Sequence, residues 1–205
     1  MKKFKQFIAE ENDSPKRPAV LAFGRMNPPT TGHSVLVNKV HELAKKHGAY
    51  HEVVLSGSHD NKKNPLDSAT KLKHAKRFFP HTNIKSASKT EPTLMHHAAR
   101  LSKAGHDHLI MVAGSDRVPE YEKLLHTYNG KADKSGKIPF SFKKISVVSA
   151  GHRDPDSEGA EGMSASKMRE HAKNNKFKEF RKGVPDHVSD EHAKELFHDV
   201  KKRMS

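Results

Sequence analysis

The stretch PAVLAFGRMNPPTTGHSVLVNKVHELA, residues 18–44, decides the architecture. Pro18–Phe23 is an unbroken apolar run, Gly24 to Pro29 is a turn stiffened by glycine and proline, and from about Ser34 the spacing becomes helical, with Leu36, Val40, Leu43 and Ala44 on one stripe. A continuous apolar run marks a strand covered on both faces. The helix that follows opens with unpaired amides, which favour an anion. Gly32 lets the backbone approach a phosphate closely. His33 at the helix mouth can donate a hydrogen bond to a phosphoryl oxygen that is gaining charge.

Working outward, the same alternation repeats along the chain. Val53–Ser56, His108–Ala113 and Ile145–Ser149 are further apolar runs, with a weaker one near Asn83–Ser86. Between them Leu72, Ala75 and Phe79, and then Leu94, Ala98 and Leu101, fall on helical stripes. The pattern predicts an α/β fold, a doubly wound parallel sheet of five strands in the Rossmann manner, with ligands at the carboxyl ends of the strands. Ser189 caps a C-terminal helix that turns Ala193, Leu196, Phe197 and Val200 inward. The polar stretch from Leu125 to Phe142 reads as a long functional or mobile loop.

At 205 residues the chain holds one domain of this kind, placed at residues 18–205 behind a basic leader, residues 1–17, that is flexible or processed. There is no run of 18 apolar residues and no apolar stretch behind the N-terminal lysines, so neither a membrane partner nor secretion is expected, and the cytoplasm is the expected location. The absence of Cys excludes disulfides, zinc-thiolate sites and a thiol nucleophile. Lys and Arg number 38 against 24 Asp and Glu, a formal net charge of +14, which points to an anionic partner.

A second helix mouth lies near the other end, at Gly162-Met163-Ser164-Ala165-Ser166-Lys167-Met168-Arg169. Ser164 is its N-cap, and two hydroxyls, free amides and an arginine one turn in suit a polyphosphate, whose oxygens a guanidinium matches bidentately. Basic stretches flank both segments: residues 59–79 carry a net +4 and residues 167–183 a net +5. Such a positive mouth draws in triphosphates, and it would also hold nucleic acid nonspecifically.

Taken as a pair, Thr30-Thr31-Gly32-His33 resembles the H/T-x-G-H signature of the nucleotidylyltransferase superfamily, and Ser164-Ala165-Ser166-Lys167-Met168-Arg169 resembles its S-x-S/T-x-x-R signature. Between them, Gly57-Ser58 followed by Asn64-Pro65-Leu66 is similar to the second-strand segment of nicotinamide mononucleotide adenylyltransferases. Ala113-Gly114-Ser115-Asp116 resembles the turn after the fourth strand of bacterial nicotinate mononucleotide adenylyltransferases, and Phe177 to Pro185 resembles the tail of the nicotinamide group. Thr30 stands where many members have His, as it does in phosphopantetheine adenylyltransferases. Gly24-Arg25 with Pro28 is similar to the Gly-Arg-Phe-x-Pro opening of the nicotinamide enzymes, with Met26 in place of Phe.

The resemblance implies the HUP-type fold of this superfamily and a transfer of a nucleoside monophosphate from ATP or CTP to a small phosphorylated acceptor, releasing pyrophosphate without a covalent enzyme intermediate. It implies that His33 and Arg169 are catalytic and that Gly24, Arg25, Thr30, Gly32, His33, Ser164, Ser166, Lys167 and Arg169 bind the nucleotide. Ser58 and Asp116 are the acceptor-side candidates. Magnesium is expected with the triphosphate, and no protein ligand is assigned to it, since this ion keeps most of its waters. The acidic run Asp154, Asp156, Glu158 and Glu161 reads as solvated, and the His96-His97 pair lacks a third ligand at metal spacing. Phe4-x-x-Phe7-Ile8-Ala9-Glu10 resembles the leaders of tailed-phage head proteins, which would add the virion as a location. The alternative to an enzyme is a basic nucleic-acid-binding module on the same scaffold.

Overall fold

The computed structural model describes residues 15–151 and 163–204. The leader motif before Pro15, Gly162 and the acidic run at residues 154–161 lie outside these. Five strands form, β1 (Pro18–Gly24), β2 (Tyr50–Leu55), β3 (Ile84–Ser86), β4 (His108–Ala113) and β5 (Lys144–Ser149), all parallel and in the order β3-β2-β1-β4-β5. Between them run α1 (Ser34–His47), α2 (Ser68–Phe78), α3 (Leu94–Lys103) and α4 (Val118–Tyr128), followed by α5 (Ala165–Lys173), α6 (Phe177–Arg181) and α7 (Asp190–Met204). This is the doubly wound Rossmann-like architecture expected from the alternation. The winding reverses between β1 and β4, which opens a crevice above their carboxyl ends.

Alternate residues of the central strands feed two cores. Val20, Ala22, Val53, Leu55, Ile110 and Val112 meet α1, α2, α5, α6 and α7 on one face. Ala19, Leu21, Val54, Leu109, Met111 and Ala113 meet α3 and α4 on the other. At the start of β1 the backbone N–H groups of Lys16 and Arg17 donate to the Asp107 carboxylate at 2.9 and 2.8 Å, so the chain is already pinned two residues before the strand.

Three features depart from the sequence reading, the first two because polar residues are buried and the third because two phenylalanines of a polar stretch enter the core. Strand β2 begins at Tyr50 rather than Val53, since the fully buried Glu52 sits mid-strand. Burial alone would raise this carboxyl, but the Tyr50 hydroxyl at 2.7 Å, Lys85 at 3.0 Å and Arg100 hold it below the usual carboxylate range. Helix α2 turns Lys71, His74, Ala75 and Phe78 inward, one step round from the Leu72-Ala75-Phe79 stripe. The loop after α4 is anchored: Phe140 and Phe142 are core residues, and the Asn129 side chain exchanges two hydrogen bonds with the Phe142 backbone at 2.8 and 3.0 Å.

Helix α7 buries the four predicted residues and clamps α2. Glu195 pairs with Lys73 and Arg77, which hold its carboxyl down to about 2; Asp199 meets the His74 ring at 2.8 Å, and Arg203 meets Asp67, the N-cap of α2, at 2.6 Å.

Candidate functional site

A cleft of about 1850 Å³ opens above the carboxyl ends of the strands, where the winding reverses. Its walls come from four connections. Gly24 and Arg25 follow β1, Gly32 and His33 open α1, Ser56, Ser58, Lys63 and Asn64 follow β2, Gly114 to Arg117 follow β4, and Ser164 to Lys167 with Arg169 open α5. All the candidate residues except Thr30 therefore line one cleft. Thr30 is 1% exposed and lies behind the wall.

The buried threonine and the cleft histidine form one unit. A 3-10 turn, Thr31–His33, carries the chain into α1, and the His33 ring folds back so that Nδ1 accepts the Thr30 N–H at 3.1 Å and lies 2.9 Å from the Thr30 hydroxyl. A backbone N–H can only donate, so Nδ1 is the unprotonated nitrogen, and the neutral ring carries its proton on Nε2. The tautomer able to donate to a phosphoryl oxygen is thus fixed by the fold.

At the second helix mouth Ser164 caps α5, its hydroxyl accepting the Lys167 N–H at 3.1 Å. Arg169 donates to the Ser166 hydroxyl at 3.0 Å and to the Asn27 carbonyl at 2.8 Å. The second bond joins the loop after β1 to the helix after the last strand. Another joins the same regions from behind, as the Thr31 N–H donates to the Gly183 carbonyl at 2.9 Å. Gly183 packs tightly beneath α5: a Cβ there would lie 2.3 Å from the Met168 sulfur and 2.4 Å from Met163, so a larger residue would displace those methionine side chains.

The other end of the cleft is also built. The buried Asn27 side chain donates to the Leu66 carbonyl at 2.8 Å and accepts the Leu66 N–H at 2.9 Å, pairing the loop after β1 with the segment after β2 as one strand pairs with another. Asp60 accepts the N–H groups of Lys62 and Lys63, which holds its carboxyl far below the usual range. After β4 the turn at Gly114 is close-packed, and a Cβ there would lie 2.8 Å from the Asp116 carboxylate and push that side chain aside. Asn27, Lys63 and Arg117 line the cleft without having been singled out in the sequence, and Asn64, quoted there only within the Asn64-Pro65-Leu66 resemblance, lines it too. Asn27 was legible only as a turn residue, since its partner stands 39 positions away. The carboxylates among the described cleft residues are Asp116 and Glu170.

The chemistry of such a wall is that of an anion receptor: five basic side chains, two hydroxyl-bearing helix mouths and few carboxylates. The family model described as cytidylyltransferase-like matches residues 21–171, from β1 into α5, and takes in both helix mouths. The chain belongs to the cytidylyltransferase-like family. This places it in the nucleotidylyltransferase superfamily, in agreement with the paired signatures. Two solved structures share the fold of this cytidylyltransferase-like protein, each at 12% identity and a TM-score of 0.50. One is TmcAL of Thermotoga maritima with alpha-thio ATP bound, where the match covers 91% of this chain and 56% of that one, so the chain spans little more than half the length of that protein. The other is a Vibrio parahaemolyticus protein provisionally described as a nicotinate-nucleotide adenylyltransferase, with 88% of this chain and 99% of that one covered. No curated protein matches the chain significantly in sequence. Among the described residues no helix is long and apolar enough to cross a membrane.

Proposed function

We propose that the protein transfers a nucleoside monophosphate from ATP or CTP to a small phosphorylated acceptor and releases pyrophosphate, in the manner of a nicotinamide mononucleotide adenylyltransferase. One observation carries the reading: the His33 and Arg169 segments, 136 positions apart, line a single cleft, and the arginine bridges to the loop that leads to the histidine. Family membership supports the reaction class, and the Gly24-Arg25, Ser58 and Asp116 segments support the acceptor class.

In this reaction an acceptor phosphate oxygen forms a bond to the α-phosphorus while the bond from that phosphorus to the bridging oxygen breaks, and the electron pair leaves with pyrophosphate. No residue needs to take a proton from an ionised phosphate. Catalysis rests on alignment and on neutralising charge that spreads over the phosphoryl oxygens. His33 donates from Nε2 to that charge, with Thr30 fixing the ring. Ser164, Ser166 and Arg169 hold the β- and γ-phosphates, with Arg25 and Lys167 as further donors and Gly24 and Gly32 leaving room for the chain of phosphates. Ser58 and Asp116 orient the acceptor.

Magnesium enters with the triphosphate. Among the described residues no group of three or more His, Asp or Glu is arranged to hold a metal, so no residue of the chain is assigned to the ion. It would supply charge neutralisation at the triphosphate.

The deciding experiment is a pyrophosphate-release screen crossing ATP, CTP, GTP and UTP with nicotinamide mononucleotide, nicotinate mononucleotide, phosphopantetheine, flavin mononucleotide and sugar or polyol phosphates. Release with one pair establishes the reaction. Silence across the panel combined with tight RNA binding would replace it with a nucleic-acid-binding module, the role that the +14 charge otherwise favours.

A further inference from the structure

Among the largest fully buried side chains of the described residues is a lysine. Lys71, at 0% exposure on α2, donates its ammonium to the Ser56 carbonyl at the end of β2, and Ser56 lines the cleft. Ammonium groups are almost never sealed away without a carboxylate, because removing them from water is costly. The carboxylate that acts on it, Asp67, is committed mainly elsewhere: it accepts from Thr70 at 2.9 and 3.2 Å and pairs with Arg203 of α7 at 2.6 Å. From the loop after β1 the group that acts on Lys71 is Arg25, a second cation and part of the cleft wall. One turn along α2, His74 is turned to Asp199. Lys71 thus sits under the β2 end of the cleft as a positive charge with too little negative charge around it.

We propose that Lys71 is a specificity-determining residue that makes the β2 end of the cleft select a phosphorylated acceptor. The fixed ammonium acts through Ser56, polarising its carbonyl and placing uncompensated positive charge beneath the Ser56–Ser58 turn, where no water shell screens it. An acceptor phosphate arriving beside Ser58 and Arg25 completes the ion pair that the folded protein leaves half made. An uncharged or dephosphorylated acceptor gains nothing there and leaves the buried charge uncompensated. This rests on the acceptor reading above and adds the residue responsible for it.

Burial, with Arg25 adding to it, lowers the Lys71 ammonium to about 8, so it titrates in an accessible window. Bound phosphate should hold the proton on. The test uses the full chain with its triphosphate clamp filled by tripolyphosphate, titrated calorimetrically with inorganic phosphate. Phosphate is a dianion throughout the upper part of the range, so a pH effect there reports the protein. Wild type is expected to bind phosphate about tenfold more weakly at pH 9.5 than at pH 7.5 and to take up a proton on binding at pH 8.5. Lys71→Met should bind about tenfold more weakly at pH 7.5 with no proton uptake, and Lys71→Arg should restore affinity without restoring the pH dependence. Equal phosphate binding by wild type and Lys71→Met, or wild-type binding without proton uptake at pH 8.5, overturns the proposal, and the second measurement stands even if the methionine variant fails to fold. A silent pyrophosphate screen with this linkage intact would remove only the enzymatic reading. An active screen with no linkage would remove only the role of Lys71.

Discussion

At the scale of single residues the site is governed by which atom holds a proton. Thr30 supplies the hydrogen bond that keeps His33 Nδ1 unprotonated, so the two residues act as one device. His33→Ala should lower turnover by about three orders of magnitude while leaving triphosphate affinity within a few-fold, because the contact matters chiefly as charge develops. Single-turnover pyrophosphate release alongside calorimetric binding separates the two effects; near-wild-type release would remove His33 from the mechanism. Thr30→Val keeps the backbone donor and loses the hydroxyl, so a smaller loss, about three- to tenfold in turnover, is expected in the same assay. Lys71 illustrates the opposite balance, stability given up at a functional position. Its folded value of about 8 lies below the ordinary 10.5. Between those pH values the unfolded chain binds more protons, so stability rises with pH across the window, and the cost of the buried charge is fully present below pH 8. Lys71→Met is therefore expected to stabilise the protein by about 1–3 kcal/mol at pH 7 in urea unfolding, and a destabilised variant would contradict that reasoning. The sequence displayed Gly32, His33 and Arg169 because their residue types punctuate helix mouths. It concealed Lys71, since a lysine on a helix reads as solvated unless its partners are known.

The elements divide into those that carry the site and those that hold them in place. The alternation of apolar runs and stripes was enough to anticipate all five strands, most plainly β1 and β4, because burial on both faces leaves a strand with little but apolar residues, whereas the edge strand β3 buries only Ile84. It misplaced the inward face of α2 and the start of β2, where Lys71, His74 and Glu52 are buried through partners up to 125 positions away. Helix α7 makes the distinction between packing and charge measurable. Leu196 of α7 is fully buried in the core that α7 shares with α5 and α6, and its truncation to Ala should cost about 2–5 kcal/mol. Glu195 makes two ion pairs with α2, yet it and its partners are 29–46% exposed, so Glu195→Gln should cost no more than about 1 kcal/mol. Equilibrium unfolding of the two variants checks the ranking, and a larger loss from Glu195→Gln would mean that the ion pairs dominate the docking.

For the molecule as a whole, charge and histidine content set its working conditions. Burial lowers the pKa of His41, His74, His97 and His108 below the ordinary 6.5. The folded state therefore resists protonation that the unfolded chain accepts, and stability is lost as pH falls from 6.5 through these lowered values. The melting temperature is expected to drop steadily between pH 7 and pH 5, with net proton uptake on unfolding; a flat profile would count against it. The surplus of +14 should also draw triphosphates from a distance, so their association rate should fall several-fold between 50 and 500 mM salt.

The bridges that close the cleft, Arg169 to the Asn27 carbonyl and the Thr31 amide to the Gly183 carbonyl, have a temporal consequence during synthesis. The first strand and His33 leave the ribosome early, yet the first of these bridges cannot form until Arg169 has emerged and the second not until Gly183 has. A nascent chain can gather much of its sheet before the two helix mouths are fixed against each other. The cleft is therefore assembled only after the last strand and α5 have been added, however early its first half is made.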